Sequence, residues 1–136
     1  MSKMDDKPKY SFAAYSEDVE AFTRYPNAGD RDAWSINYCA VGLGGEIGEL
    51  LNDWKKAIRD EKVGQQRRRP GVERRDKLLD ELADVLWYAV RLEHGLGSDL
   101  ETVAQENVRK LETRAMMRAS AGNVADKEIC RLRGLK

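Results

Sequence analysis

Apolar residues recur along most of this chain at intervals of three and four residues, the spacing that places side chains on one face of an α-helix. The clearest series runs from Ile36 to Ile58, and shorter series begin near Phe12, Leu78 and Leu100. No stretch alternates apolar and polar residues in the way that a half-buried strand does. The pattern therefore predicts an all-α fold, a four-helix bundle with helices at about residues 11–25, 31–59, 72–94 and 98–118.

Residues with turn and capping chemistry separate these helices. Asp30 or Asp32 can cap the second helix, and Ser98 opens a capping-box sequence at the start of the fourth. With 136 residues, one domain with a small core is expected. We predict a polar leader over 1–10, an all-α domain over 11–118 with an insertion loop at about 60–76, and a C-terminal tail over 119–136. The tail loses the helical period after Gly122, and we expect it to fray.

Two pairs of acids hold equivalent positions on two of the predicted helices. Glu46 and Glu49 form an ExxE pair, and Glu81 and Asp84 form an ExxD pair. Residues three apart lie on one face of a helix, so each pair directs two carboxylates the same way. Each pair alone is common on a solvated helix face. Both pairs, however, flank an apolar stripe that we expect to be buried: Leu43, Ile47, Leu50 and Trp54 on one helix, and Leu78, Leu82, Val85 and Ala89 on the other.

Packing of the two stripes against each other would bring four carboxylates to one partly dry site. Like charges at short range cost free energy unless something neutralises them. Mg²⁺ is a fitting counter-ion, and Mn²⁺ a substitute, because both prefer carboxylate oxygens. The sequence therefore predicts a metal site with Glu46, Glu49, Glu81 and Asp84 as ligands. Glycines at 42, 44, 45 and 48 accompany the first pair, and they indicate either close approach by a neighbouring group or a locally weak helix.

Composition excludes several other classes of protein. The chain has 24 basic and 24 acidic residues, so its net charge gives no reason to expect nucleic acid or a membrane as partner. No apolar run reaches the ~20 residues of a membrane-spanning helix, and the first residues lack the apolar stretch of a signal peptide. Cys39 and Cys130 are interpreted as reduced thiols, so a cytoplasmic location is expected. A di-iron bundle would need Glu-x-x-His motifs, but Arg91 stands three residues before the single histidine, His94.

Three stretches, taken in order, resemble the MazG-like nucleoside triphosphate pyrophosphohydrolases, all-α enzymes related to the dimeric dUTPases. The stretches are GLGGEIGELLNDWKK (42–56), LLDELADVLWYAV (78–90) and GLGSDLETVAQENVRKLETR (95–114). They hold the ExxE, ExxD and N-x-x-K-L-x-x-R signatures of that family. Residues 50–80, between the acidic pairs, form a longer segment than is usual there. This segment carries Arg67, Arg68 and Arg69, which either reach a substrate's phosphates or form a solvated loop.

The resemblance implies Mg²⁺-dependent hydrolysis of a (d)NTP to a (d)NMP and pyrophosphate. It implies metal binding by the four acids, with Glu49 or Glu46 as the general base. Candidate substrate-binding residues are Asn107, Lys110, Arg114, Lys56, Trp34 and Tyr88. The family also implies a homodimer or homotetramer. The preferred base and sugar, the number of metal ions and the identity of the general base stay open. Two alternatives also stay open: a dUTPase-like enzyme specific for a pyrimidine nucleotide, and a non-catalytic helical interaction or regulatory protein.

The positions of the aromatic residues on the predicted helices suggest different roles for them. Tyr15 and Trp54 lie on apolar stripes and are expected in the core. Trp87 projects away from the stripe of its helix, which is typical of a residue at a subunit interface. Trp34 precedes the main stripe of the second helix, where its ring could stack on a base, and Tyr88 is nearly in line with the second acidic pair.

Overall fold

The computed structural model describes residues 10–65 and 68–135. Within these ranges the chain forms five α-helices and no strand, so the all-α prediction is confirmed. The helices are α1 (Phe12–Glu20), α2 (Ala33–Glu61), α3 (Val72–Gly95), α4 (Leu100–Ser120) and α5 (Val124–Arg133). Two compact units divide the chain: the first ends at Ser98 and contains α1 to α3, and the second begins at Asp99 and contains α4 and α5. None of the helices in the described ranges has the length and apolar character needed to cross a membrane.

Side-chain hydrogen bonds fix the start of α2 and the connection from α2 to α3. The Asp32 carboxylate accepts a hydrogen bond from the backbone N–H of Ser35 at 2.8 Å, so one of the two predicted caps starts α2. Glu61, at the end of α2, accepts from the backbone N–H of Gly71 and from Nε of Arg74, both at 2.9 Å. These bonds close the connection between α2 and α3. The connection between the two helices covers 62–71, so it is shorter than the insertion predicted at 60–76. Arg67, one of the three arginines noted in this segment, is not among the described residues.

The helices α2 and α3 pack antiparallel along their length. Ile36, near the start of α2, lies against Gly95 at the end of α3, whereas Glu61 binds Arg74 near the start of α3. The residues that α2 buries lie on one face of the helix: Ser35, Cys39, Asp53 and Ala57. With Glu46 placed at 0° on a helical projection, all four fall within about 20° of it. Glu46 therefore lies in the middle of the α2–α3 interface.

This placement corrects the expected position of the apolar stripes. We predicted that Ile47 and Trp54 would be buried beside the acids, but both are exposed in the chain by itself, as is Leu82 on α3. Helical periodicity shows which apolar residues share a face of a helix, but it carries no information about which neighbour covers that face. Within one chain, Leu43 and Leu50 on α2 and Leu78 and Val85 on α3 are half-buried, and the outer edge of each stripe is exposed. The exposed outer edges comprise Ile47, Leu51, Trp54 and Ile58 on α2, with Leu79 and Leu82 on α3.

The short helix α1 is tied to α3 through a buried guanidinium. Arg91 is 1% exposed; it pairs with Glu20, and its Nε lies 3.4 Å from the Tyr25 hydroxyl. Helix α1 ends at Glu20 rather than near residue 25, and Tyr25 turns back into the core to stack on Tyr38 with 4.9 Å between ring centroids. Trp87 meets the Tyr25 ring edge-on at 6.2 Å and is only half-buried. Trp87 thus packs in part within this unit, and its predicted role at a subunit interface remains a prediction.

The second unit contains a helix that the sequence pattern did not reveal. Asp99 rather than Ser98 caps α4, because its carboxylate accepts from the backbone N–H of Thr102 at 2.7 Å. After Gly122 the chain forms α5 instead of the expected frayed tail. Ion pairs hold α5 to α4: Arg118 donates to Asp126 at 2.8 Å and 3.0 Å. A helix of ten residues has fewer than three turns, so its apolar residues repeat too few times for the period to be recognised.

A buried carboxylate, that of Asp53, joins α2 and α3 about two helical turns after Glu46. Asp53 is 3% exposed, and it accepts from Nζ of Lys56 at 2.7 Å and pairs with Nζ of Lys77 at 2.9 Å. A third cation, Arg74, lies with Nη1 at 3.8 Å. The hydrogen bonds from Lys56 and Lys77 lower the pKa of Asp53 to about 2. Asp53 therefore stays ionised at neutral pH and holds cations from both helices, a set that we call the Asp53 cluster: Asp53, Lys56, Arg74 and Lys77.

The substitution Asp53→Asn is expected to destabilise the fold in a pH-dependent way. The pKa of Asp53 in the folded chain lies below its ordinary value of 3.8, so its ionisation adds stability above that pH. This contribution is lost as the pH falls through the folded value of about 2. Urea unfolding should therefore show a lower midpoint for Asp53→Asn at pH 7, with the difference narrowing as the pH falls below 4. Asp80→Asn, at an exposed position on α3, is the matched control; a difference for Asp53→Asn that is constant with pH would contradict this assignment.

Candidate functional site

Three of the four predicted metal ligands come together where α2 and α3 face each other. Glu46, Glu81 and Asp84 each offer one carboxylate oxygen, and these three oxygens lie within 4.8 Å of one another. Glu46 and Glu81 are half-buried, and Asp84 is exposed. The helical spacing explains the arrangement: Glu81 and Asp84 share a face of α3, and Glu46 lies at the centre of the opposing face of α2. We call these three residues the acid trio.

The electrostatics of the acid trio show the cost of bringing these carboxylates together. Burial raises the pKa of Glu46, and the negative charges of Asp84, Glu49 and Glu81 raise it further. A cation bound between the three oxygens would remove the repulsion that these charges create. Three carboxylates form a hard-oxygen donor set that fits Mg²⁺ or Mn²⁺ and offers no soft ligand. The donors therefore fit the predicted metal in chemistry and in spacing.

Glu49 occupies a different position from the other three acids. It lies one turn after Glu46 on α2, is exposed, and is not part of the acid trio. It is close enough for its charge to raise the pKa of Glu46. Glu49 therefore stands beside the candidate metal site, and its predicted roles as ligand and as catalytic base remain predictions.

An aromatic cavity lies next to the acid trio on the side of the α2 N-terminus. Trp34 and Tyr88, which the sequence suggested as substrate-binding residues, both line this cavity of about 340 Å³. The other lining residues are Asn37, Tyr38, Val41 and Gly42. Trp34 is 73% exposed, so one face of its indole is open to solvent. Burial is the main cause that raises the pKa of the Tyr88 hydroxyl, and the nearby charge of Glu46 adds to it.

The glycines of α2 divide into one that a neighbour contacts and three that face open space. A Cβ on Gly42 would lie 2.1 Å from Cε1 of Tyr88, so the tyrosine ring packs directly on the helix backbone. Gly44, Gly45 and Gly48 have no described heavy atom within 4 Å of such a Cβ. Of the two explanations that the sequence allowed, close approach is correct at Gly42. The missing side chain at that position brings Tyr88 to the edge of the aromatic cavity.

Two residues near the site were not recognised from the sequence. Tyr15, expected in the core, is half-buried, and the charge of Asp84 is among the causes that raise its pKa. Lys77 binds Asp53 one turn before Glu81. The signal for Lys77 was available in the spacing. Asp53 follows Glu46 by seven residues and Lys77 precedes Glu81 by four, so both share a face with the acid trio.

The other predicted substrate-binding residues lie in two places. Lys56 donates to Asp53 and is partly exposed. Asn107, Lys110 and Arg114 are exposed on one face of α4, in the second unit. Their substrate-binding roles remain predictions.

Comparison with known proteins assigns the chain to a family. Residues 37–118 match the MazG nucleotide pyrophosphohydrolase domain, a range that contains the acid trio and Glu49. The chain belongs to this family. It is also similar to the Gene 37 protein of Mycobacterium phage L5, with 43% identity over 94 residues, which cover 66% of this chain and 75% of the phage protein. No solved structure gives a significant match.

The contact between Gly42 and Tyr88 predicts an asymmetric response to alanine. Gly42→Ala forces the Tyr88 ring to move, because the added methyl overlaps it, and such overpacking costs about 1–3 kcal/mol. Gly45→Ala meets no described atom within 4 Å and should raise stability by up to about 1 kcal/mol through helix propensity. Thermal unfolding followed by circular dichroism measures both. If Gly42→Ala melts at or above the temperature of Gly45→Ala, the assigned packing of Tyr88 is wrong.

Proposed function

We propose that this protein is a Mg²⁺-dependent nucleoside triphosphate pyrophosphohydrolase, which cleaves a (d)NTP to a (d)NMP and pyrophosphate. The observation that carries this proposal is the acid trio, whose three oxygens lie within 4.8 Å inside the region that matches the MazG domain. Carboxylates alone would repel a polyphosphate. When bound, Mg²⁺ would offset that repulsion and withdraw electron density from phosphorus. The residues to hold it are Glu46, Glu81 and Asp84.

The position of the aromatic cavity supports an orientation for the nucleotide. Gly42 and Tyr88 each lie four residues from a member of the acid trio, which is about 6 Å along a helix. The cavity offers the open indole face of Trp34 and the rings of Tyr38 and Tyr88, which suit stacking on a nucleobase. In this orientation the base lies in the aromatic cavity, and the phosphates lie over the acid trio. Asn37, at the cavity wall, has an amide that can hydrogen-bond the edge of a base.

Glu49 is the acid that we assign as general base. Oxygens of the three other acids lie within 4.8 Å of one another, whereas Glu49 is exposed and is not one of this group. Its carboxylate would take a proton from the attacking water as the water oxygen forms a bond to phosphorus. The bridge between the α- and β-phosphates then breaks, and pyrophosphate leaves with its electron pair.

We also propose that the protein functions as a homodimer or homotetramer. The outer edges of α2 and α3 expose large apolar side chains, among them Leu51 and Leu82. Burial of apolar area is the main driving force of such association. Light scattering after size-exclusion chromatography should therefore give at least twice the mass of the chain. Leu51→Glu should lower that mass, and Val124→Glu, an exposed apolar residue of the second unit, is the matched control. A monomeric mass for the parent protein would contradict the proposal.

The decisive test is pyrophosphate release from a panel of canonical and modified dNTPs and NTPs, with and without Mg²⁺. We expect Mg²⁺-dependent release, ranked among substrates by kcat/KM. Glu81→Gln should abolish both release and metal binding, whereas Glu49→Gln should reduce release by about 100-fold or more with metal binding retained. Asp80→Asn, the exposed neighbour of Glu81, should behave as the parent. A folded parent protein that releases no pyrophosphate from any nucleotide would overturn the proposed reaction and favour a non-catalytic role.

A further inference from the structure

The Asp53 cluster presents two ammonium groups on one buried carboxylate. Each oxygen of Asp53 contacts a different lysine: Oδ1 receives Lys56 at 2.7 Å, and Oδ2 faces Lys77 at 2.9 Å. The carboxylate side chain is 4% exposed, whereas those of Lys56 and Lys77 are 35% and 52% exposed. The anion is therefore enclosed while both cations reach solvent.

The Asp53 cluster and the acid trio are both formed by residues of α2 and α3, so sequence spacing gives their separation. Lys77 precedes Glu81 by four residues and Asp53 follows Glu46 by seven, which correspond to about 6 Å and 10 Å along the helix axes. Because α2 and α3 are antiparallel, both shifts point in the same direction, away from Tyr88 and the aromatic cavity. The interface therefore presents an aromatic cavity, an acid trio and a lysine pair in that order.

The charge balance of the cluster leaves positive charge available to an anion. Arg74 is matched by Glu61, which accepts from its Nε at 2.9 Å. Asp53 alone is then shared by Lys56 and Lys77, one negative charge for two positive ones. An ammonium group has three N–H donors, so each lysine can bind Asp53 and still donate to a phosphate oxygen. The buried carboxylate also restricts the flexible lysine side chains, which lowers the entropy cost of ordering them on a ligand.

We propose that Asp53 holds Lys77 and Lys56 to bind the terminal phosphates of the substrate, so that the site selects triphosphates by their pyrophosphate end. Lys77 and Lys56 contact the substrate, and Asp53 is a positioning residue. This inference rests on the proposed function, because it takes the phosphate chain to start at the acid trio. It adds Lys77 and Asp53 to the residues that recognise the substrate, and it assigns the pyrophosphate product to the lysine end of the site.

The experiment measures competitive inhibition of nucleotide hydrolysis by the two products separately. Inorganic pyrophosphate reports on the lysine end and the nucleoside monophosphate on the aromatic end. Lys77→Met should raise the inhibition constant for pyrophosphate by about tenfold or more, as expected for loss of a charged hydrogen bond, and leave that for the monophosphate unchanged. Lys77→Arg should restore much of the pyrophosphate affinity. Lys55→Met removes the charge of an exposed lysine on α2, next to Lys56, and is the control.

Asp53→Asn separates positioning from general support of the fold. It should weaken inhibition by pyrophosphate but not by the monophosphate, whereas a merely structural role would change both together. The conclusion does not depend on this variant, because Lys77 is half-exposed and its replacement is not expected to unfold the chain. Direct calorimetric binding of magnesium pyrophosphate to the unreacted proteins provides a readout that needs no turnover.

The outcomes distinguish this inference from the proposed function. Hydrolysis by the parent protein, together with equal pyrophosphate affinity in Lys77→Met and Lys55→Met, would overturn the lysine assignment and leave the enzyme assignment intact. A parent protein that neither hydrolyses nucleotides nor binds magnesium pyrophosphate would overturn both. Selective loss of pyrophosphate affinity in Lys77→Met would support the assignment.

Discussion

The repulsion among three carboxylates at one helix–helix interface is the constraint around which this structure is arranged. Carboxylate oxygens of Glu46, Glu81 and Asp84 lie within 4.8 Å of one another because α2 and α3 pack face to face, with Glu46 at the interface and Asp84 at its exposed edge. A stable protein has no thermodynamic reason to place like charges there, since an apolar residue at position 46 would pack without repulsion. The raised pKa of Glu46 is the local sign of that cost. Such an arrangement is typical of a functional site whose ligand supplies the missing positive charge.

The same pair of helices also contains the opposite arrangement, which holds the interface together. At Asp53 one buried carboxylate is surrounded by cations from both helices, and its pKa is lowered to about 2. Attraction at Asp53 thus lies next to repulsion at Glu46 on the same face of α2. The ion pairs of Asp53 fix the register of the two helices, and the acid trio is available to bind a ligand. At the other side of the acid trio, the close contact of Tyr88 with Gly42 fixes an aromatic residue at the site.

Much of this architecture was predictable from local spacing, and the remainder depended on contacts that spacing does not encode. Helical periodicity identified α2, α3 and α4, and the ExxE and ExxD pairs led to the acid trio. The same periodicity placed the buried face of α2 about a quarter-turn away from its actual position. Ile47 and Trp54, which we expected to be buried, are exposed in the chain by itself. Helix α5 was missed because its ten residues are too few to repeat an apolar period clearly, although ion pairs also hold it to α4. Spacing within α3 places Lys77 on the face of the acid trio, but it does not identify the carboxylate of α2 that Lys77 binds.

The central claim is that the acid trio binds a divalent cation, and Mn²⁺ is the most direct probe of it. Free Mn²⁺ gives a sharp electron paramagnetic resonance signal that is lost on binding, so titration measures affinity without substrate or turnover. We expect the parent protein and Asp80→Asn to bind Mn²⁺ with equal affinity, Glu81→Gln and Asp84→Asn to lose binding, and excess Mg²⁺ to displace it. Equal Mn²⁺ binding by the parent protein and Glu81→Gln, or no binding by the parent protein, would contradict the account.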